Sequence, residues 1–383
     1  MAKTPVDVSS WDAWGDPAGL VRELSAVAAP TGNEDRLSDA VLRYATAQGW
    51  RAEVDRLGQV LVSAGPADAG TSLMMVAHLD ELGLVVRAVE PEGWVRIHRL
   101  GGIPERILPG LRVVVHTQGG DIPAVVGTKS HHLTQPEEKY VALPATELYL
   151  DLGLGSAEAV RAAGVRVGDP VTYAPTWSQT EGGRLTGKSL DNRVGVAAAL
   201  RALHMLHEEA PRAAVHVVFS CLEEFNLQGP LTMARRLRPD LALVTDIIPA
   251  TDTPDLRGDG TTALGAGPSL SRLAFHGRGT LGGLVPHPSM VRAVEDAADR
   301  IGVELQYDAV IGCLNDSAYL PMSTELGVAT VSLNIPCRYT HSPVETAQLS
   351  DVVGAAEVMA EVARRAHEVD LSRGASQIGR GMA

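Results

Sequence analysis

In the stretch Ser72-Leu73-Met74-Met75-Val76-Ala77-His78-Leu79-Asp80-Glu81, five consecutive apolar residues run straight into a histidine and two carboxylates. A run this short and this apolar suits a strand buried on both faces, as in a sheet covered by helices. In such α/β sheets ligands bind beyond the strand ends, where several strands deliver side chains to one crevice. His78 therefore marks the place to look for chemistry.

Working outward, the chain after Asp191 alternates in pattern. It predicts a helix over 193–208, a strand over 214–221, a helix over 229–237 and a strand over 241–245, which implies βαβ units. Upstream, Leu20, Val21, Leu24 and Val27 recur at helical spacing until Pro30-Thr31-Gly32-Asn33-Glu34 breaks the pattern, and a second helix over 34–48 and a strand over 59–64 follow. Pro288 opens a helix over 289–301, and a last helix over 349–369 precedes a frayed tail at 372–376. Between 84 and 175 the texture changes to short alternating segments such as Trp94-Val95-Arg96-Ile97, broken by Gly101-Gly102, Gly119-Gly120 and prolines, which predicts a small β-rich insertion. The expected fold is α/β: a central mixed β-sheet flanked by helices from residues 1–83 plus 176–383, with a β-barrel-like domain inserted at 84–175.

The 383 residues allow two or three packed units, and a hydrophobic content of 45% supplies a substantial core. Acidic residues outnumber basic ones by 46 to 33, for a net charge of −13, and no basic run could track a phosphate backbone. Nucleic acid is not an expected partner. The N-terminus lacks an apolar signal core and no apolar run reaches membrane-spanning length, so a cytoplasmic protein is expected. Three cysteines, Cys221, Cys313 and Cys337, suit a reducing compartment and lack metal-ligand spacing.

Five predicted element ends carry metal-competent side chains: His78-Leu79-Asp80, Leu190-Asp191-Asn192, Leu222-Glu223-Glu224, Thr245-Asp246 and Thr340-His341-Ser342. Taken singly, each has a plain structural explanation in a hydrogen-bonded histidine, a solvated acidic turn or a helix cap. Their combination is harder to explain that way, because two consecutive carboxylates after an apolar strand need a counter-charge, which a metal supplies.

Four signatures, Ala77-His78-Leu79-Asp80-Glu81-Leu82-Gly83, Gly187-Lys188-Ser189-Leu190-Asp191-Asn192-Arg193-Val194-Gly195, Glu223-Glu224 and Arg338-Tyr339-Thr340-His341-Ser342-Pro343-Val344-Glu345, resemble in order those of the tetrahedral aminopeptidases. These are glutamyl-aminopeptidase-like dinuclear metallopeptidases, some of which carry cellulase or endoglucanase names. The resemblance implies two divalent ions per subunit, zinc or cobalt or alternatively manganese. It assigns one to His78 and Asp246, the other to Glu224 and His341, and the bridge to Asp191, leaving each ion an open position. It makes Glu223 the general base acting on the attacking water, gives Asp80 the orienting of His78, and implies a cis peptide at Asp191-Asn192. It further implies peptide substrates and a homo-oligomer, typically a dodecamer built from dimers through the inserted domain.

Other residues carry weaker signals. Asp316 matches a family position near the substrate pocket, whereas the adjacent Asn315 departs from it. His132, in Lys129-Ser130-His131-His132, matches a histidine of the insertion and is a second candidate for substrate binding. His204 and His207 are expected to be exposed on their helix, residues 277–279 form a loop without dinucleotide-binding spacing, Cys221 and Cys313 are expected to be buried apolar residues, and Ser342 lacks a nucleophile elbow, leaving its hydroxyl a hydrogen-bonding role. A metal-dependent amidohydrolase or deacylase would need the same activated water, so the metal ligands do not separate it from an aminopeptidase. Polysaccharide hydrolysis fits poorly, since adjacent glutamates cannot flank a sugar ring, and a dead binding protein would be missing a ligand.

Overall fold

The structure is a computed structural model that describes residues 5–277 and 282–372. The chain lays down β1 (Arg51–Val54), β2 (Val60–Ala64) and β3 (Ser72–His78). It then leaves for β4 (Gly83–Val89), β5 (Val95–Leu100), β6 (Arg112–Thr117), β7 (Gly120–Val126), β8 (Tyr149–Asp151) and β9 (Pro170–Tyr173), and returns through β10 (Trp177–Gln179) and β11 (Arg184–Gly187). There follow β12 (Ala214–Ser220), β13 (Leu241–Val244), β14 (Ile247–Pro249), β15 (Ser269–Phe275), β16 (Gly283–Leu284), β17 (Gln306–Ile311), β18 (Ala329–Arg338) and β19 (Glu345–Gln348). The helices are α1 (Pro17–Ala26), α2 (Asp35–Ala47), α3 (Ala157–Ala162), α4 (Leu190–Glu208), α5 (Glu223–Asn226), α6 (Leu231–Leu237), α7 (Pro288–Ile301) and α8 (Leu349–Arg365).

The main sheet runs β1-β2-β12-β3-β13-β18-β19-β11-β10, with β14 and β15 branching from β18 and β16 and β17 pairing with β15. Its centre, β12-β3-β13-β18, is parallel, and both flanks are antiparallel, so the sheet is mixed as expected. Alternation along β3 explains the buried run: Leu73, Met75 and Ala77 join the core beneath α1, α4, α7 and α8, while Met74 and Val76 join a smaller core with Met233 and Ala234 of α6. The insertion is a closed six-stranded barrel, β4-β5-β8-β7-β6-β9, filled by Leu84, Val86, Val95, Ile97, Val113, Val115 and Val171. Arg36 of α2 ties the barrel to the sheet domain at 2.8 Å from Asp121, which also accepts from His116 at 2.9 Å.

A buried ionic cluster fastens the end of β3 to the start of α4. Lys188, fully buried, donates to Glu81 at 2.5 Å, Ser189 donates to the same oxygen, and Arg193 approaches the other oxygen at 3.6 Å. The Arg193 guanidinium also donates to the carbonyls of Leu24, Val27 and Leu79, so one side chain joins α1 to the loop after β3.

Two expectations need correction. His204 is half-buried, because Trp50 folds back over α4: their rings stand edge to face at 4.8 Å and the Tyr44 hydroxyl bonds His204 at 2.8 Å. The last helix stops at Arg365 and tightens into a 3₁₀ turn, Ala366–Glu368. Of the predicted tail, residues 373–376 lie outside the described residues.

The ionic cluster makes a testable claim about stability. Glu81→Gln leaves two buried cations without their counter-charge and is expected to cost about 3–5 kcal/mol, read as a lower denaturant midpoint.

Candidate active site

Because β3, β12, β13 and β18 are parallel, their carboxyl ends share one edge of the sheet, and the predicted site residues gather there. His78 closes β3. Beyond β12, Leu222 turns through a left-handed conformation (φ 65°) and starts the short α5 with Glu223 and Glu224. Asp246 follows β13. Tyr339 (φ 57°) and His341 (φ 66°) lie in the turn after β18, again left-handed. Asp191 opens α4 through a cis peptide to Asn192, as the resemblance implied.

The side chains form two groups. His78, Glu223 and Asp246 offer ligand atoms within 4.8 Å of one another, and so do Asp191, Glu224 and His341. Asp191 stands between them: its Oδ1 is 3.1 Å from His78 Nε2 and its Oδ2 is 3.5 Å from His341 Nε2. Asp246 Oδ1 lies 3.4 Å and Glu223 Oε2 3.9 Å from His78 Nε2, while Glu224 Oε2 lies 3.7 Å from His341 Nε2.

Burial pushes the Glu223 and Glu224 carboxyls well above their ordinary range, reinforced by neighbouring carboxylates, and raises Asp246 to about 6. Burial disfavours charge on the two imidazoles, but the surrounding carboxylates outweigh it and hold His78 well above its usual pKa and His341 at about 10. Asp191 is held down despite its burial, because the His341 and His78 imidazoles beside it favour its ionised form. Among the described residues this cluster is short of positive charge, and Glu224 Oε1 is buried with no hydrogen-bond partner. A donor set of imidazole nitrogens and carboxylate oxygens, with an orphaned oxygen among them, fits divalent ions such as zinc, cobalt or manganese.

A second set of carboxylates grips backbone. Asp80 accepts the N–H groups of Glu223 and Glu224, each at 3.0 Å, and Glu34 accepts that of Leu222 at 3.1 Å, so two buried acids hold three successive amides and aim α5. Glu345 accepts the Asp191 N–H at 3.0 Å and the His341 N–H at 2.6 Å. The carboxylate of Asp80 is 3.6 Å from His78 Nδ1, too far for a hydrogen bond; its carbonyl, at 3.1 Å, orients the ring instead. Glu34 and Glu345 were not singled out from the sequence, since nothing in residue spacing announces that a carboxylate will cap a distant turn.

Asp316 reaches the same edge: it accepts from Ser220 at 2.6 Å, its other oxygen is buried without a hydrogen-bond partner among the described residues, and burial raises its pKa to about 7. Asn315 is spent on its own turn, accepting from Ser317 and donating to Ser332. His132 is exposed on a 3₁₀ turn (His131–Leu133) and belongs to neither group. Ser342 accepts from the Val344 N–H. Cys221 is buried, whereas Cys313 is partly exposed. Within the 277–279 loop, residues 278 and 279 lie outside the described residues.

A family model described as M42 glutamyl aminopeptidase matches residues 58–358. Aminopeptidase APDkam598 from the archaeon Desulfurococcus kamchatkensis superposes with a TM-score of 0.85 at 32% identity, covering 91% of this chain and 95% of that one. The TET1 peptidase of Pyrococcus horikoshii, whose structure shows that it can assemble into a tetrahedron or a large octahedral shell, gives 0.80 at 26% identity over 91% and 99%. The glutamyl aminopeptidase of Lactococcus lactis subsp. cremoris is 27% identical over 327 residues, 84% of this chain and 88% of that protein.

Seating a divalent ion here requires neutral imidazoles. His341 ordinarily titrates near neutrality but is raised to about 10 in this cluster, so at pH 7 it carries a proton that must leave, and affinity should increase with pH. Calorimetric titration with zinc at pH 7 should therefore release protons, and a heat independent of the buffer's ionisation enthalpy would contradict this charge state.

Proposed function

The chain belongs to the M42 glutamyl aminopeptidase family, and on that premise we propose that it is a two-cation aminopeptidase that removes N-terminal residues from short peptides. The observation that carries the reading is Asp191, which presents one oxygen to His78 and the other to His341, as a carboxylate shared by two cations would. His78 and Asp246 would hold one ion and Glu224 and His341 the other, with zinc or cobalt, or alternatively manganese, suited to these donors. Such ions supply electrophilic polarisation of the scissile carbonyl and acidify a water so that it can attack near neutral pH.

The chain's own residues do the rest. Glu223, aimed by Asp80 and buried beside His78, takes the proton of the attacking water and delivers it to the leaving amine; its raised pKa suits both transfers. For Asp316, one of whose carboxylate oxygens is buried with no hydrogen-bond partner among the described residues, the proposed role is to accept a hydrogen bond from the free α-ammonium group of the substrate. This reading gives His132 no part in the site of a single chain.

The same reading extends to assembly. Leu133, Tyr140 and Val141 stand 68%, 95% and 60% exposed on the insertion, where Tyr140 and Val141 line a groove of about 1000 Å³. Apolar exposure of this kind favours burial against another surface, so residues 84–175 are proposed to pair subunits into dimers, with a dodecamer as the complete particle and residues 1–83 plus 176–383 as the catalytic unit. Among the described residues no helix is long and apolar enough to cross a membrane, and the proposed location is the cytoplasm.

A panel of aminoacyl and N-acyl chromogenic substrates tests the reaction. Metal-reconstituted protein should release product from free-amine substrates only, chelation should abolish turnover, and Glu223→Gln should lower kcat by about 10²–10⁴. Turnover confined to N-acylated compounds would move the assignment to a deacylase.

A further inference from the structure

The two histidines are held by different parts of the molecule. The His78 side chain, 1% exposed, ends a central strand, and its Nδ1 is satisfied inside its own loop by the Asp80 carbonyl. The His341 side chain, 35% exposed, sits on a turn that shares two hydrogen bonds with the inserted barrel. Its Nδ1 bonds the Gly102 carbonyl at 3.1 Å, and its own carbonyl accepts from the Tyr173 hydroxyl at 3.2 Å. Gly102 lies just after β5, and Tyr173 ends β9, both barrel strands. Because a carbonyl can only accept, Nδ1 keeps its proton, so the proton lost when the ring becomes neutral is the one on Nε2, whose lone pair then faces Asp191 and Glu224.

Side chains at this contact would force their neighbours to shift. A Cβ on Gly102 would lie 3.2 Å from His341 Nδ1 and 3.3 Å from Cε1; one on Gly101, whose φ is +94°, would collide with Leu82 and lie 3.2 Å from the Glu224 carbonyl oxygen. The Gly101-Gly102 turn therefore packs against both residues proposed to hold the second ion, whereas among the described residues no hydrogen bond or ion pair joins the barrel to His78 or Asp246.

We propose that the inserted barrel sets the geometry of the Glu224/His341 half-site, with Gly102 and Tyr173 as positioning residues, while the sheet alone sets the His78/Asp246 half-site. The two ions are then held with unequal affinity, the barrel-dependent one more weakly, because its histidine is more exposed and is oriented across a domain junction. This rests on the two-cation reading.

The test is a titration of full-length, chelator-stripped protein with cobalt, followed by calorimetry and by the visible absorption of the bound ion. Wild type should bind two ions in separable steps, with His341→Ala identifying the step that belongs to that half-site. Gly102→Ala, which crowds the imidazole, and Tyr173→Phe, which removes only a hydroxyl, should each weaken that step by about 10–100-fold and leave the other unchanged. Circular dichroism melting of both variants checks that they remain folded. Equal weakening of both steps, or of neither in either variant, would overturn the proposal. Fewer than two ions on wild type would overturn the two-cation reading itself and this inference with it.

Discussion

At one edge of one sheet, more carboxylates are withdrawn from water than there are cationic side chains among the described residues to balance them. That excess of buried negative charge is the constraint on which the rest of the structure depends. Removing an anion from water is costly unless it gains a counter-charge or hydrogen bonds, and the molecule uses both remedies at different positions. Glu81 is neutralised by Lys188 and Arg193. Glu34, Asp80 and Glu345 are satisfied by backbone amides. Among the described residues, Asp191, Glu223, Glu224 and Asp246 share only two imidazoles, and that remainder is where divalent ions fit.

The division of labour explains local backbone geometry as well. Left-handed conformations at Leu222, Tyr339 and His341 are unfavourable for residues with side chains, and each turn is tied down by a carboxylate acceptor. Glu34 takes the amide of Leu222 and Asp80 the two that follow it; Glu345 takes the amide of His341 and, on the other side, that of Asp191. Carboxylates that cap backbone amides thus decide where the Asp191, Glu223 and Glu224 side chains point. Asn192 adds a further tie by donating to the Thr245 carbonyl, which fixes the spacing between the Asp191 turn and Asp246.

The barrel is usefully seen in the same terms. It has its own apolar core, separate from the two cores on the sheet, and its exposed groove points to association. Yet one of its turns supplies a carbonyl to His341 and its last strand supplies the Tyr173 hydroxyl, so the insertion is continuous with the chemistry of the sheet edge.

The sequence alone determined a good deal. The period of the apolar residues specified buried strands and covering helices, because hydrophobic burial obeys the 2.0 and 3.6 residue repeats wherever a core forms. The ligand-type residues His78, Asp191, Glu223, Glu224, Asp246 and His341 were legible because each follows the end of a predicted strand or opens a helix, and the change of texture after residue 84 announced the barrel. Only the tertiary structure decided which carboxylate does what. That Asp80 holds α5 with its side chain and His78 with its carbonyl, that Glu34 and Glu345 cap turns far from them in sequence, that His204 lies under Trp50, and that a glycine of the barrel orients His341 all depend on contacts between segments tens to hundreds of residues apart. Hydrogen-bond partners at such range are set by strand order and register, which no local pattern encodes.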